Sequence, residues 1–159
     1  MKSTSFFRLV NSPIKFRLFL FSKLPAAFFS GLKIVHCNEE ECTVSIPYKW
    51  FTQNPFRSTY FACLGMAAEM STGALAMAHV YQRKPVVSML ITAVESKFLK
   101  KAVDKTFFVC NEGGAIKHAV EQACATGNGQ TITVVSKGFN QQNELVAEFL
   151  FTWSFKVKQ

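Results

Sequence analysis

The segment from about Thr59 to Tyr81 is apolar on nearly every side when it is read at helical spacing. We predict one long helix here, with Ser58 as its N-cap and Pro85 shortly beyond its end. A long helix that is apolar on all sides must be surrounded by other elements, because exposure of any of its faces to water is unfavourable. The segment therefore predicts a fold that wraps one central helix.

Most of the remaining chain carries strand patterns. The last segment, from Leu145 to Val157, alternates apolar residues with others along its whole length, which is typical of a strand with one buried face. One antiparallel sheet curled around the long helix satisfies both patterns, and this arrangement belongs to the α+β class. Further strands are predicted at residues 32–38, 42–48, 86–98, 105–112 and 130–139, the first two as a hairpin.

The N-terminal segment is apolar and basic, but Arg17 and Lys23 interrupt it, so it does not match a membrane span. We predict a helix from Pro13 to Lys23 with Ser12 as its N-cap, followed by a helical turn that ends at Gly31. This helix either lies over the core or touches a membrane peripherally through its Phe and Arg/Lys side chains.

Length and cysteine usage indicate one compact domain from a reducing compartment. The 159 residues contain no linker or repeat, so we predict a single domain at 31–159 with residues 1–30 packed on it as a helical extension. A short amphipathic helix inside the domain should stop at Gly127. None of the five cysteines forms a CxxC pair, which favours buried free thiols and a cytoplasmic location.

The net charge of +8 leaves several classes of partner open. Lysines cluster in one region. They either lie in solvent without a specific role or attract an anionic partner, which would be a nucleotide phosphate or an acidic carrier protein. Nucleic acid is a poor partner, because the aromatic residues follow core periodicity and are not interleaved with basic residues. The clustered lysines are Lys97, Lys100, Lys101 and Lys105.

Glu69 lies in the middle of the predicted core helix, with Gly65 and Gly73 one turn away on either side. Each glycine weakens a helix by about 1 kcal/mol relative to alanine. The glycines either leave space around the carboxylate or allow close helix packing. The carboxylate itself either has a chemical role, or pairs with a basic side chain, or reaches solvent, since burial without a partner is costly.

The order of these elements resembles the hotdog-fold acyl-thioesterases, including the phenylacetate-pathway type and a related thioesterase-like branch. The former type has an asparagine, six positions later His-Gly-Gly, and an acid nine positions after the histidine. This chain keeps the spacing, with Asn54 and Glu69 at the asparagine and acid positions. Tyr60, Phe61 and Ala62 stand in place of His-Gly-Gly.

The resemblance implies a homodimer, or a dimer of dimers, that hydrolyses acyl-CoA or acyl-carrier-protein thioesters without a cofactor. Glu69 would activate a water or attack directly, opposite the partner's helix start from Tyr60 to Cys63. The N–H groups of this turn, in particular those of Phe61 and Ala62, would hold the oxyanion. The alternative is a hotdog protein that binds an acyl-CoA or fatty-acyl chain without turnover. A hotdog dehydratase needs a catalytic histidine on the loop before the central helix. We exclude this activity, because no histidine occurs between His36 and His79.

Other side chains near Glu69 have two interpretations each. Thr72 either holds a water or bonds back to a helix carbonyl. Asn54 either bonds the catalytic loop or the acid, or forms an ordinary turn before proline. Tyr60 either donates to substrate or packs as an aromatic ring. The scattered histidines lack the spacing of metal ligands, so no metal is expected.

Overall fold

The computed structural model describes residues 2–158 and the side chains of residues 5–158, so that Met1 and Gln159 lie outside the description. Residues 2–158 form five α-helices, a short 3₁₀ helix at Trp50–Thr52 and six strands. The helices are α1 Lys2–Val10, α2 Pro13–Lys23, α3 Pro25–Ser30, α4 Phe61–Val80 and α5 Gly113–Thr126. The strands are β1 Lys33–Cys37, β2 Cys42–Ile46, β3 Val87–Phe98, β4 Thr106–Cys110, β5 Gln130–Phe139 and β6 Leu145–Val157.

The six strands form one antiparallel sheet in the order β1-β2-β4-β5-β6-β3. The sheet curls around α4, which contacts every strand. The alternation in β6 buries its apolar face as the sequence indicates. The predicted α+β architecture with a long central helix is confirmed. The inward side chains of β6 include Phe149, Phe151, Trp153 and Phe155, all at most 4% exposed.

Among residues 2–158, α4 is the one helix with the length and composition to cross a membrane. However, 56% of its apolar segment is buried inside the protein. A core helix that the sheet surrounds meets the same criterion of length and hydropathy. The apolar character of α4 is therefore accounted for by its position in the core.

Helix α1 is a departure from the sequence prediction, which placed no helix before Pro13. Its nine residues have no acidic side chain in the first turn, and helices of this length are marginal by propensity alone. Phe6 and Val10, one helical turn apart, are both buried, and the ring of Phe6 lies 5.6 Å from that of Tyr81. Packing on the end of α4 therefore stabilises α1, a contact that local sequence does not reveal.

One of the two predicted helix caps was wrong. Ser12 is the N-cap residue of α2 as predicted, with Pro13 in the first turn, although its side chain makes no capping hydrogen bond. Ser58 is not the cap of α4, because the helix starts at Phe61 after Tyr60 and Ser58 is bonded to Asn54. The chain makes an extra turn before the helix can begin.

The N-terminal helices and the sheet share one core. Phe16 and Leu20 of α2 are buried together with Leu32 and Val44 at the start of the sheet. The turn predicted to end at Gly31 is α3, and Gly31 adopts the left-handed conformation (φ 79°) that favours glycine after a helix. The boundary at residue 30 stays a prediction, since apolar packing is continuous across it.

Candidate functional site

One face of α4 is not fully covered by the sheet. Partly exposed residues recur every three or four positions along it, which places them on one side of the helix. The opposite side is buried throughout. We call this side the uncovered stripe, and its members are Ala62, Gly65, Met66, Glu69, Met70, Gly73 and Met77.

Glu69 is the charged residue in the middle of this apolar stripe. Among residues 2–158, no hydrogen bond or salt bridge reaches its carboxylate. Burial without a compensating partner raises the pKa of Glu69 above the usual range for a glutamate. Pairing with a basic side chain, one of the alternatives that the sequence left open, is therefore not realised within one chain. A raised pKa makes this carboxylate a stronger base than an ordinary glutamate.

The glycines on either side of Glu69 differ in their surroundings. A Cβ at Gly73 would lie 2.7 Å from Oε1 of Glu69 and 3.4 Å from Cζ2 of Trp153. A Cβ at Gly65 would meet Phe149 at 3.6 Å, which is an ordinary contact. Gly73 thus leaves the space that the carboxylate occupies, whereas Gly65 has no such function within one chain.

Thr72 does not point a free hydroxyl at Glu69. Its Oγ1 donates to the backbone carbonyl of Glu69 at 3.0 Å and accepts the indole N–H of Trp153 at 3.1 Å. These two bonds use the hydroxyl and orient the indole beside Gly73. Thr72 therefore supports the wall of the site and leaves the binding of water to other groups.

The first turn of α4 has two open backbone donors. The N–H of Cys63 is bonded to the carbonyl of Tyr60 at 2.9 Å, and that of Leu64 reaches the same oxygen at 3.3 Å. The amides of Phe61 and Ala62 have no acceptor among residues 2–158. The donors available for an oxyanion are therefore Phe61 and Ala62, at the positive end of the helix dipole.

Asn54 organises the loop before α4. Its Oδ1 accepts the amides of Phe56 at 3.0 Å and Ser58 at 3.2 Å, and its Nδ2 donates to the hydroxyl of Ser58 at 3.1 Å. The amide of Tyr60 donates to Thr52 at 2.7 Å, which fixes the chain just before the helix. Asn54 thus holds the turn that presents the start of α4, and it makes no contact with Glu69 in the same chain.

A groove of about 500 Å³ runs along this turn. Asn54, Tyr60 and Phe61 line one side of it, and the residues after β3 line the other. The ring of Phe61 lies 5.0 Å from Tyr60 and 6.3 Å from Phe98, so aromatic side chains form much of the wall. The remaining lining residues include Leu64, Leu99, Lys100, Lys101 and Ala102.

Two of the four clustered lysines lie at this groove. Lys100 and Lys101 line it, whereas Lys97 and Lys105 do not. Lys100 forms a salt bridge of 2.6 Å with Glu144, which together with Asn140 lowers the pKa of Glu144. No ion pair of Lys101 occurs among residues 2–158, so its charge is available at the edge of the groove.

One chain does not bring the acid and the open amides together. Glu69 lies eight residues after Phe61, which corresponds to about 12 Å along a helix axis. Asn54, Tyr60 and Phe61 gather at the groove, while Glu69 and Gly73 gather at Trp153. A reacting group could touch both sets only if a second chain supplied one of them.

Sequence reasoning missed Trp153, Phe98 and the loop after β3 as part of these surroundings. Trp153 was read as one member of an apolar strand face, and nothing local marks it as the indole beside Glu69. Only the sheet places β6 under this turn of α4, with Trp153 reaching Thr72 and Gly73. No group of three or more His, Cys, Asp or Glu side chains in the described part of the chain could hold a metal ion.

Solved structures similar to this one include several thioesterases. The probable thioesterase PA5026 of Pseudomonas aeruginosa matches with a TM-score of 0.77 and 18% identity, over 92% of this chain and 97% of that one. The PaaI protein from the phenylacetic acid degradation operon of Escherichia coli matches with a TM-score of 0.66 and 13% identity, over 99% and 97%. The chain has the hotdog fold.

A third hotdog structure, the thioesterase HI1161 of Haemophilus influenzae, matches with a TM-score of 0.65 and 14% identity, over 92% of this chain and 91% of that one. No protein-family model and no curated protein sequence matches the chain. The predicted resemblance is confirmed for the fold, which is what likeness at these identities establishes.

Proposed function

We propose that this hotdog protein hydrolyses acyl thioesters, with Glu69 as the general base and the amides of Phe61 and Ala62 as the oxyanion donors. The observation that carries the proposal is the partnerless carboxylate of Glu69 on the uncovered stripe of α4. The names of two of the similar proteins, the probable thioesterase PA5026 and the thioesterase HI1161, agree with this reaction class. The helix start supplies two unused N–H groups of the kind that stabilise a developing negative charge.

The proposal requires a homodimer, and the edge strand β3 supports one. β3 lies at the end of the sheet and is exposed on both faces from Thr92 onwards. Its apolar side chains Leu90 and Val94 are 65% and 53% exposed, which an isolated edge strand rarely tolerates. Pairing with the β3 of a second copy would cover these residues and extend the sheet. The uncovered stripe of one copy would then face the start of α4 in the other.

The reaction that follows needs no cofactor. Glu69 accepts a proton from a water whose oxygen attacks the thioester carbonyl, and the carbonyl oxygen becomes an oxyanion held by Phe61 and Ala62 of the other copy. The tetrahedral intermediate collapses by breaking the C–S bond. The thiolate leaves with the proton that Glu69 had accepted, and the carboxylic acid product remains.

The groove suggests which part of the substrate each wall would hold. Its aromatic lining from Tyr60, Phe61 and Phe98 suits an apolar or pantetheine-like chain. Lys101 at its edge suits a phosphate, which both coenzyme A and an acyl-carrier protein contain. The substrate class is therefore an acyl thioester of a phosphorylated pantetheine carrier.

Thiol release from a panel of acyl-CoA thioesters tests the proposal. We expect hydrolysis by the native protein and a loss in kcat of about 100-fold or more in Glu69→Gln, because the amide cannot accept the proton. Sedimentation of the same samples should give a dimer for both proteins. Absence of hydrolysis on every chain length, or full activity of the Gln variant, would contradict the proposal.

The substitution of Tyr60, Phe61 and Ala62 for His-Gly-Gly favours one alternative, binding without turnover. The ring of Phe61 is 58% exposed and stands at the helix start, where a smaller residue would leave more access to the amides. A protein that only binds would give a saturable calorimetric titration with an acyl-CoA and no thiol release. The Gln substitution at Glu69 would then leave the affinity nearly unchanged.

A further inference from the structure

Helix α2 has an outward face that is unusual for a protein surface. Phe16 and Leu20 point into the core and are at most 3% exposed. Ile14, Leu18 and Phe21, on the opposite side at helical spacing, are 76%, 64% and 59% exposed. A surface helix normally turns polar residues outward, so an apolar outward face indicates that something other than water covers it.

The exposed apolar residues of α2 continue across the neighbouring elements. Ring centroids lie 5.1 Å apart between Phe21 and Phe28, 5.3 Å between Phe28 and Phe29, and 6.3 Å between Phe29 and Phe51. Trp50, next in sequence to Phe51, is 82% exposed. We call this surface the aromatic face, and it consists of Ile14, Leu18, Phe21, Phe29, Trp50 and Phe51.

The two chain segments that form the aromatic face carry only basic charges. No acidic residue precedes Glu39, and none occurs between Glu41 and Glu69, so both segments that form the face lack carboxylates. Arg17 lies over the ring of Phe28 at 4.2 Å, within the face itself. The basic residues of these elements are Lys15, Arg17, Lys23, Lys49 and Arg57.

We propose that the aromatic face docks on an anionic lipid bilayer. Exposed aromatic and aliphatic side chains with a basic surround are the combination that binds the interface of anionic membranes. An exposed tryptophan is suited to the headgroup region, because its apolar ring contacts the acyl chains while its N–H group stays hydrated. A second copy of this chain, docked by the same surface, is a poor occupant, because two basic faces would repel each other.

The position of the face relates docking to the candidate site. A shallow hollow beside it is lined by Trp50, Phe51, Gln53, Asn54 and Pro55. Asn54 and Pro55 also line the groove at the start of α4. A protein docked by this face would hold the groove at the start of α4 next to the membrane surface.

Vesicle binding measured without substrate tests this docking separately from catalysis. The two tryptophans give the readout, since Trp50 is exposed and Trp153 is 4% exposed. With phosphatidylcholine vesicles containing about 30% anionic lipid, we expect a blue shift of the emission that disappears in Trp50→Phe. Neutral vesicles should give much weaker binding, and raising the salt from about 0.1 M to about 1 M should reduce it.

Matched variants decide whether the aromatic face is responsible. Leu18→Glu adds a carboxylate to its centre, and Val86→Glu adds one at a 55% exposed apolar residue elsewhere. Since both side chains are exposed, neither change should alter thermal unfolding. We expect Leu18→Glu to lower binding to anionic vesicles by about tenfold or more, and Val86→Glu to change it by less than about threefold.

Three outcomes would overturn the docking proposal. One is the absence of cosedimentation with anionic vesicles at low salt. Another is equal loss of binding in the Leu18 and Val86 variants. The third is a concentration-dependent self-association that Leu18→Glu abolishes while vesicles remain unbound, which would assign the aromatic face to a second copy.

Discussion

Replacing Gly73 with alanine tests whether the carboxylate of Glu69 has to lie against the surface of α4. The new Cβ would be 2.7 Å from Oε1 of Glu69, closer than two such atoms approach each other, and 3.4 Å from Trp153. The indole is held by its hydrogen bond to Thr72, whereas the carboxylate has no partner within residues 2–158. The carboxylate is therefore the group that should move.

The cost of that movement to folding is small. Alanine in place of glycine stabilises a helix by about 1 kcal/mol. A forced change of the Glu69 rotamer costs about 0.5–1.5 kcal/mol. The two effects nearly cancel, so the free energy of unfolding of Gly73→Ala should stay within about 1 kcal/mol of the native value.

The cost to hydrolysis should be much larger. A base displaced by about 1 Å typically loses about 100-fold in rate, and we expect that loss in kcat for thiol release from an acyl-CoA. Gly65→Ala is the matched control, because its Cβ would only touch Phe149 at 3.6 Å. It should raise the melting temperature by about 2–4 °C and keep its activity.

Comparison of the two alanine variants can refute the reasoning. If Gly73→Ala retains kcat within about threefold of the native protein, the position of the Glu69 carboxylate does not limit the reaction. If both variants lose activity equally, helix packing or dimerisation is responsible, and sedimentation would show which.

Three further predictions concern titration, thiols and charge. Because burial raises the folded-state pKa of Glu69, the native state binds more protons than the unfolded state between the two pKa values, and stability falls as pH rises through that window. In denaturant titrations, Glu69→Gln should therefore be more stable than the native protein at pH 7 and equally stable below about pH 4. The kcat/KM of the native protein should fall as the pH drops through the raised pKa of Glu69. Greater stability of the native protein at pH 7 would contradict this prediction. Burial raises the pKa of Cys110 to about 11 and raises that of Cys63, while a hydrogen bond with Cys37 together with burial raises the pKa of Cys42. A thiol reagent at pH 8 should therefore label native Cys124 first and all five cysteines only after unfolding. Rapid native labelling of the buried thiols would contradict the packing. Lys101→Glu should raise KM for an acyl-CoA by about threefold to tenfold at low salt and have little effect on KM for a pantetheine thioester without phosphate. Lys105→Glu, which changes a lysine outside the groove, is the control. Equal effects of Lys101→Glu on both substrates would exclude a phosphate contact.

The elements of this fold could be predicted because their patterns are local. The all-round apolar composition of α4 and the strict alternation of β6 each depend on periodicity within one segment, and together they require a sheet around a helix. Helix α1 could not be predicted in this way, since its stability comes from the contact of Phe6 and Val10 with a distant core.

For the candidate site, the sequence determined which groups exist and their spacing. It placed an acid between two glycines in a core helix and an asparagine ahead of the helix start. The eight-residue separation of Phe61 and Glu69 also places them about 12 Å apart along any straight helix. The distance that leads us to propose a second chain therefore follows from the primary structure.

Only the tertiary structure decided the chemical state of these groups. Among residues 2–158, it left the Glu69 carboxylate without a partner and used the hydroxyl of Thr72 for Trp153. Each result depends on which distant strand or loop lies beside the helix. The desolvation of a side chain and the number of hydrogen bonds it makes depend on the atoms that surround it in the folded protein. The residues next to it in sequence do not specify those atoms.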